Sequence, residues 1–143
     1  MLGAIFSIIA GAAMSIQGVF NTRLSEKIGL YESNTFVQLT AFIVSLVVML
    51  IFGKGKFFSF TQVNPLYLTG GLIGVVITVT VMLAIGNLSP TVAISIILIS
   101  QLIVAALIDM FGLFETKQVA FHFSKIIGIA LMIAGVVVFK LKG

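Results

Sequence analysis

The sequence predicts an all-α integral membrane protein with five transmembrane helices, and three observations predict it. Of the 143 residues 60% are apolar and 8% charged, with a mean hydropathy of +1.29; a soluble domain needs nearer a quarter charged residues to face water. The apolar residues gather into five runs of about 20 residues, the length a helix needs to cross ~30 Å of hydrocarbon. The eight Lys and Arg and the four acids fall mostly between those runs. The reading is a single five-helix membrane domain over 1–143, with spans at approximately 2–22, 34–52, 65–86, 90–112 and 122–140. Little chain is left for a separate catalytic or nucleic-acid-binding module, and no nucleic-acid partner is expected, because the net charge of +4 is loop charge. With no cysteine, disulfides, thiolate metal sites and thiol nucleophiles are excluded.

The elements follow in order. The first run starts at Leu2, stops near Asn21 and meets the charged stretch Arg23 to Glu32. Met1-Leu2-Gly3 offers no basic residue ahead of it, so it reads as a retained span rather than a secretory signal. Ser33 and Asn34, good helix N-caps, open the second span, which Gly53-Lys54-Gly55-Lys56 breaks. Asn64 caps the third, with Pro65 in the first turn, where its missing N–H costs nothing. The short link Asn87-Leu88-Ser89 makes spans three and four antiparallel neighbours. The fourth opens at Pro90 and ends near Gly112; the fifth has Ser124 as its cap and Lys125 and Lys140 snorkelling at its two ends. Membrane barrel strands alternate apolar and polar residues, and stretches such as Ile94 to Ile99 do not. Val and Ile weaken helices in water, but in lipid the need to satisfy every backbone group internally overrides that preference.

Five spans place the N- and C-termini on opposite sides of the membrane. One face then carries Lys54, Lys56, Lys117 and Lys125, the other Arg23, Lys27, Lys140 and Lys142. Lys and Arg bias sets orientation, and this distribution is even. An even count fits a chain inserted both ways round, and it also arises by chance. Carriers that alternate access commonly rock two inverted repeats around a midplane site. One five-helix bundle lacks an inverted partner within itself, and an antiparallel second copy, or a paralogue, supplies one. Gly11, Gly18, Gly70, Gly74, Gly128 and Gly135 allow close helix approach.

Gly11, Gln17 and Asn21 of the first span, the stretch from Gln101 through Asp109 to Gly112, and the closing Gly128 to Gly135 helix together resemble the five-helix YdcZ-type, half-size EamA-like family of the drug/metabolite transporter superfamily. The resemblance covers nearly the whole chain. It implies half of a ten-helix inverted-repeat transporter fold, working as a dimer in the cytoplasmic (inner) membrane of a prokaryote as a multi-pass protein. The four-helix small multidrug exporters of that superfamily carry a glutamate within the first helix. Here that span has no acid, and its nearest polar side chain, Gln17, cannot exchange a proton at ordinary pH.

Polar groups inside the membrane are the default functional candidates. Gln101 lies near mid-span, where it is either a substrate contact or interhelical glue. Gln17 and Asn21 share a helix face and, with Gln38, form a polar cluster at one mouth; the alternative is that Asn21 ends the first helix while Gln17 and Gln38 bond each other. Thr78 is a further substrate-binding candidate, although Thr78 and Thr80 more often bond their own helix backbone. Asp109, one turn from the exit of span four, is the proton-coupling candidate, with an ion pair to Lys125 or Lys117 as the structural reading. Phe20, Phe36, Phe42 and Tyr67 are possible cavity linings. His122 stands alone in a loop, so no metal or other cofactor is expected, and without paired carboxylates no enzyme activity. The expected function is small-solute transport by alternating access in an antiparallel dual-topology homodimer. A dual-topology ion channel and a non-transporting assembly subunit are the alternatives.

Overall fold

The computed structural model describes residues 1–120 and 122–141, and Lys142, counted above in the charge balance, lies outside them. Among the described residues all regular structure is helical: α1 (Leu2–Ile28), α2 (Leu30–Phe52), α3 (Gly70–Asn87), α4 (Pro90–Phe111) and α5 (Phe123–Leu141), with 3₁₀ turns at Phe57–Gln62, Pro65–Thr69 and Leu113–Glu115. The segments Leu2–Ile28, Leu30–Phe52, Pro65–Asn87, Pro90–Phe111 and Phe123–Leu141 are each long and apolar enough to cross a membrane. Large apolar side chains such as Phe6, Leu50, Leu72, Leu98 and Leu131 stand exposed along them. In water that surface would be ruinous; in a bilayer it is the solvated side.

The chain divides into two compact units, Met1–Gly86 and Asn87–Gly143. In the first, α1 continues beyond Asn21 through the charged stretch to Ile28, held there in part by an exposed Arg23–Glu26 ion pair at 3.0 Å. A single residue, Gly29, then turns the chain into α2. Its φ of 101° and ψ of 155° lie where side-chain-bearing residues are strained, and the Glu32 carboxylate occupies the space a Cβ would take. Gly29 donates its N–H to Ser25 O at 3.0 Å and accepts from Ser33 N at 3.0 Å, closing one helix and opening the next. The expectation that Ser33 and Asn34 cap α2 therefore fails. The left-handed glycine does the capping, so both side chains fall inside the helix and are buried.

The α3 segment enters as expected, Asn64 Oδ1 accepting from Leu66 N at 3.0 Å beside Pro65, but its first turns are 3₁₀ rather than α. Its far end packs on α1. A Cβ at Gly18 would stand 2.8 Å from Ile85 Cδ1 and 3.2 Å from Val81 Cγ1. In the second unit Ser89 Oγ accepts from Val92 N at 3.4 Å to cap α4, and Gly112 ends that helix in the left-handed region. The following loop folds back on the last carbonyls: Val119 N donates to Asp109 O and Gln118 Nε2 to Met110 O, each at 2.9 Å. Those groups otherwise lack intrahelical partners. Ser124 does not cap α5 either; it lies inside that helix, where Lys125 N donates to His122 O at 2.9 Å.

Gly29→Ala is expected to lower stability by about 1–3 kcal/mol through backbone strain alone. Gly18→Leu, which forces α1 away from α3, should lower it further, whereas Gly11→Leu on an open face should be near neutral. Thermal unfolding in detergent, followed by helicity, checks all three.

Candidate functional site

The first unit places polar side chains where its helices meet. α1 contributes Asn21 and Thr22, α2 Ser33 and Asn34, and all four are buried; Ser33 is 0% exposed. Ser33 Oγ donates to Asn21 O at 3.3 Å across the hairpin, and Thr22 Oγ1 donates to Gly18 O at 2.8 Å. One turn along α2 from Asn34, Gln38 Nε2 donates to Thr78 Oγ1 of α3 at 3.2 Å, while Thr78 Oγ1 donates to Gly74 O at 2.8 Å. Gln38 lies nine residues from Gly29 and Thr78 nine from Asn87, so each is roughly 13 Å along its helix from that end. Met82 and Ile85 continue the inward face of α3 below Thr78.

One buried side-chain atom among the described residues has no hydrogen-bond partner: Asn34 Oδ1. The residue is only 8% exposed. An unsatisfied buried acceptor costs about 1–3 kcal/mol in ordinary interiors. The cluster thus presents a carbonyl oxygen that is bare and already stripped of solvent, among hydroxyls and amides, with no acid or base in it.

This locus overlaps the sequence-derived candidates without matching them. Asn21 is buried in the first unit, Gln38 and Thr78 are half-buried there, and Thr80 bonds its own backbone at Val76 O, 2.8 Å away. Asn21 does not end the first helix, and Gln17 and Gln38 do not bond each other. Gln17 is exposed, because the inward face of α1 runs through Gly18, Asn21 and Thr22 and successive helical residues are rotated by about 100°. Ser33 and Asn34 were hidden by their resemblance to caps. The i,i+4 spacing of Asn34 and Gln38 was the signal that pairs them on one face. Phe20, Phe36, Phe42 and Tyr67 are exposed.

The second unit holds a different arrangement. Gln101 is exposed on α4, without a hydrogen bond from its side chain to a described residue. Lys125 Nζ of α5 stands 3.6 Å from Asp109 Oδ2 of α4, with side-chain exposures of 32% and 47%. Lys117 makes no ion pair with a described residue, so Asp109 is partnered by Lys125 alone of the two expected lysines. Among the described residues no three His, Asp or Glu side chains gather to hold a metal ion.

A double-mutant cycle with Gln38→Leu and Thr78→Val should give a coupling of about 0.5–1.5 kcal/mol, the range for interhelical hydrogen bonds in membranes. The readout is unfolding by denaturing detergent.

The sequence profile of the family described as "Putative inner membrane exporter, YdcZ" matches residues 2–138, and the chain belongs to that family. No curated relative and no solved structure matches it. Family and spans together make it a multi-pass inner-membrane transporter.

Proposed function

We propose that the chain carries a small neutral or zwitterionic solute by alternating access, as an antiparallel dual-topology homodimer of five-helix domains. One observation supports the solute class above others. The polar cluster, buried on α1 and α2 and half-buried at Gln38 and Thr78, contains hydroxyls, amides and one unpartnered carbonyl oxygen, and no ionisable group. Such a set hydrogen-bonds a donor-bearing solute and offers no counter-charge to a permanent ion. Asn34 Oδ1 accepts a solute N–H or O–H. Asn21, Gln38 and Thr78 provide further hydrogen-bonding contacts, and Gln101 and Gln17 serve as contacts outside the first unit's interior. Asp109 is the group available for proton coupling. The antiparallel copy rests on the odd number of spans and the even division of Lys and Arg, which give a lone protomer no inverted half and little instruction on orientation.

Asn34→Leu separates a solute contact from a structural one. Removing an unsatisfied buried acceptor leaves stability unchanged or raised. Uptake of the transported solute by proteoliposomes should nevertheless fall by about tenfold, the scale of one lost hydrogen bond. Full transport by a stable Asn34→Leu protein would dismiss the site.

Orientation is tested with a reporter at the C-terminus. The wild-type chain should report both sides of the membrane in comparable amounts, and Lys54→Ala with Lys56→Ala should drive it to one. A wild type with a single fixed orientation would dismiss the homodimer.

A further inference from the structure

α4 and α5 enclose a groove that the polar cluster does not involve. Its wider part, about 430 Å³, is lined by Leu102, Ala106, Gly128 and Met132, with Asp109 and Lys125 at one end. A narrower part of about 210 Å³ continues from Met132 past Gly135 and Ser95 to Phe139. From Lys125 to Phe139 the groove follows roughly 21 Å of helix, more than half of a ~30 Å hydrocarbon core. Small residues carve it: a Cβ added at Gly128 or Gly135 meets nothing within 4 Å.

The charged end has capacity to spare. Asp109 and Lys125 are 3.6 Å apart, longer than the 2.7–2.9 Å of a close charge-assisted hydrogen bond, and neither side chain hydrogen-bonds any other described residue. Asp109 sits in the last turn of α4 and Lys125 in the first turn of α5, so both lie at helix ends, at the level of headgroups rather than acyl chains. An apolar trough at least one leaflet deep, headed by an anion and a cation side by side, is complementary to one kind of occupant. It is an amphiphile whose chain is aliphatic and whose head carries both an ammonium with N–H donors and an anionic oxygen.

We infer that the α4–α5 groove binds a zwitterionic bilayer lipid of this chemistry, one acyl chain lying along Gly128, Met132 and Gly135. Its ammonium donates to Asp109 and its phosphate accepts from Lys125. The four charges alternate in sign, and the bound lipid bridges the pair without breaking it. The groove shares Asp109 with the proposed proton coupling but involves none of the solute contacts Asn34, Gln38 or Thr78, and its test reads lipid binding rather than transport.

The test uses the full chain carrying Phe139→Trp, whose indole is the sole tryptophan because the sequence has none. The protein is placed in phosphatidylcholine vesicles with increasing fractions of phosphatidylethanolamine brominated on its acyl chains. Quenching should saturate at a mole fraction about five- to tenfold lower than with equally brominated phosphatidylglycerol, whose head lacks the ammonium. Asp109→Asn and Lys125→Gln should each bring the two curves together. Gly128→Leu, at a position where an added Cβ meets nothing within 4 Å, should remove the saturating component while helicity is kept. Ile99→Trp on the opposite wall serves in place of Phe139→Trp if that variant does not fold. Quenching that follows bulk composition equally for both headgroups would overturn the proposal. So would an indole shielded from every brominated lipid together with disulfide cross-linking of Gly128→Cys chains, which would make the groove an interface between copies. Saturation by a single-chain lysophospholipid but not by the two-chain lipid would equally overturn it, marking a solute site.

Discussion

In hydrocarbon no water is available to a backbone N–H or C=O, and each such group left bare costs several kcal/mol. Much of this structure follows from that constraint. It explains why a chain rich in Val and Ile, residues that prefer strands in water, is helical from Leu2 to Phe52 with a single residue between two spans. It also explains why the chain spends Gly29 where a soluble hairpin would use a longer loop. The glycine closes the end of α1 and opens α2 with its own N–H and C=O. The same economy ends α4, where the loop after Gly112 bends back so that Val119 N and Gln118 Nε2 meet the carbonyls of Asp109 and Met110.

Satisfying the backbone inside each helix leaves the side chains to decide what meets what. Apolar burial gives little reason for helices to associate in lipid, because the tails outside are as apolar as leucine. The contacts in the first unit accordingly depend on small and polar groups: Gly18 under Ile85, Ser33 against the Asn21 carbonyl, Gln38 against Thr78. Such contacts are individually weak, about 0.6 kcal/mol on average. A structure assembled from them separates at modest cost, which suits the proposed alternating access. The bare Asn34 oxygen, the proposed solute contact, sits among those weak contacts.

The five spans were legible in the sequence because hydropathy alone dictates them, and their odd count needed no geometry. The Asp109–Lys125 pair was legible too, since both residues lie at the ends of neighbouring apolar runs. Helix ends were not. A polar residue at the edge of an apolar run looks like a cap, as Ser33, Asn34 and Ser124 do; nothing local in the sequence says that Gly29 takes the role for α2 or that α5 starts one residue before Ser124. Phase was the second gap. Gln17 and Asn21 share a face by spacing, but whether that face turns inward is set by where Gly18 meets α3, a contact distant in sequence. Asn34 was missed for both reasons together.

A chain that inserts in either orientation must contain no group whose energy depends strongly on which side of the membrane it faces. Moving one elementary charge through a membrane potential is worth about 2.3 kcal/mol per 100 mV, so an unpaired charge displaced from the midplane favours one orientation over its inverse. The two polar loci avoid this by different means. The cluster of Asn21, Ser33, Asn34, Gln38 and Thr78 is uncharged. Asp109, the one acid in an apolar run, has Lys125 beside it, so the pair carries no net charge through the field in either direction. The proposed dual insertion thus draws on two features at once, a polar cluster without an ionisable group and an even division of Lys and Arg between the two faces.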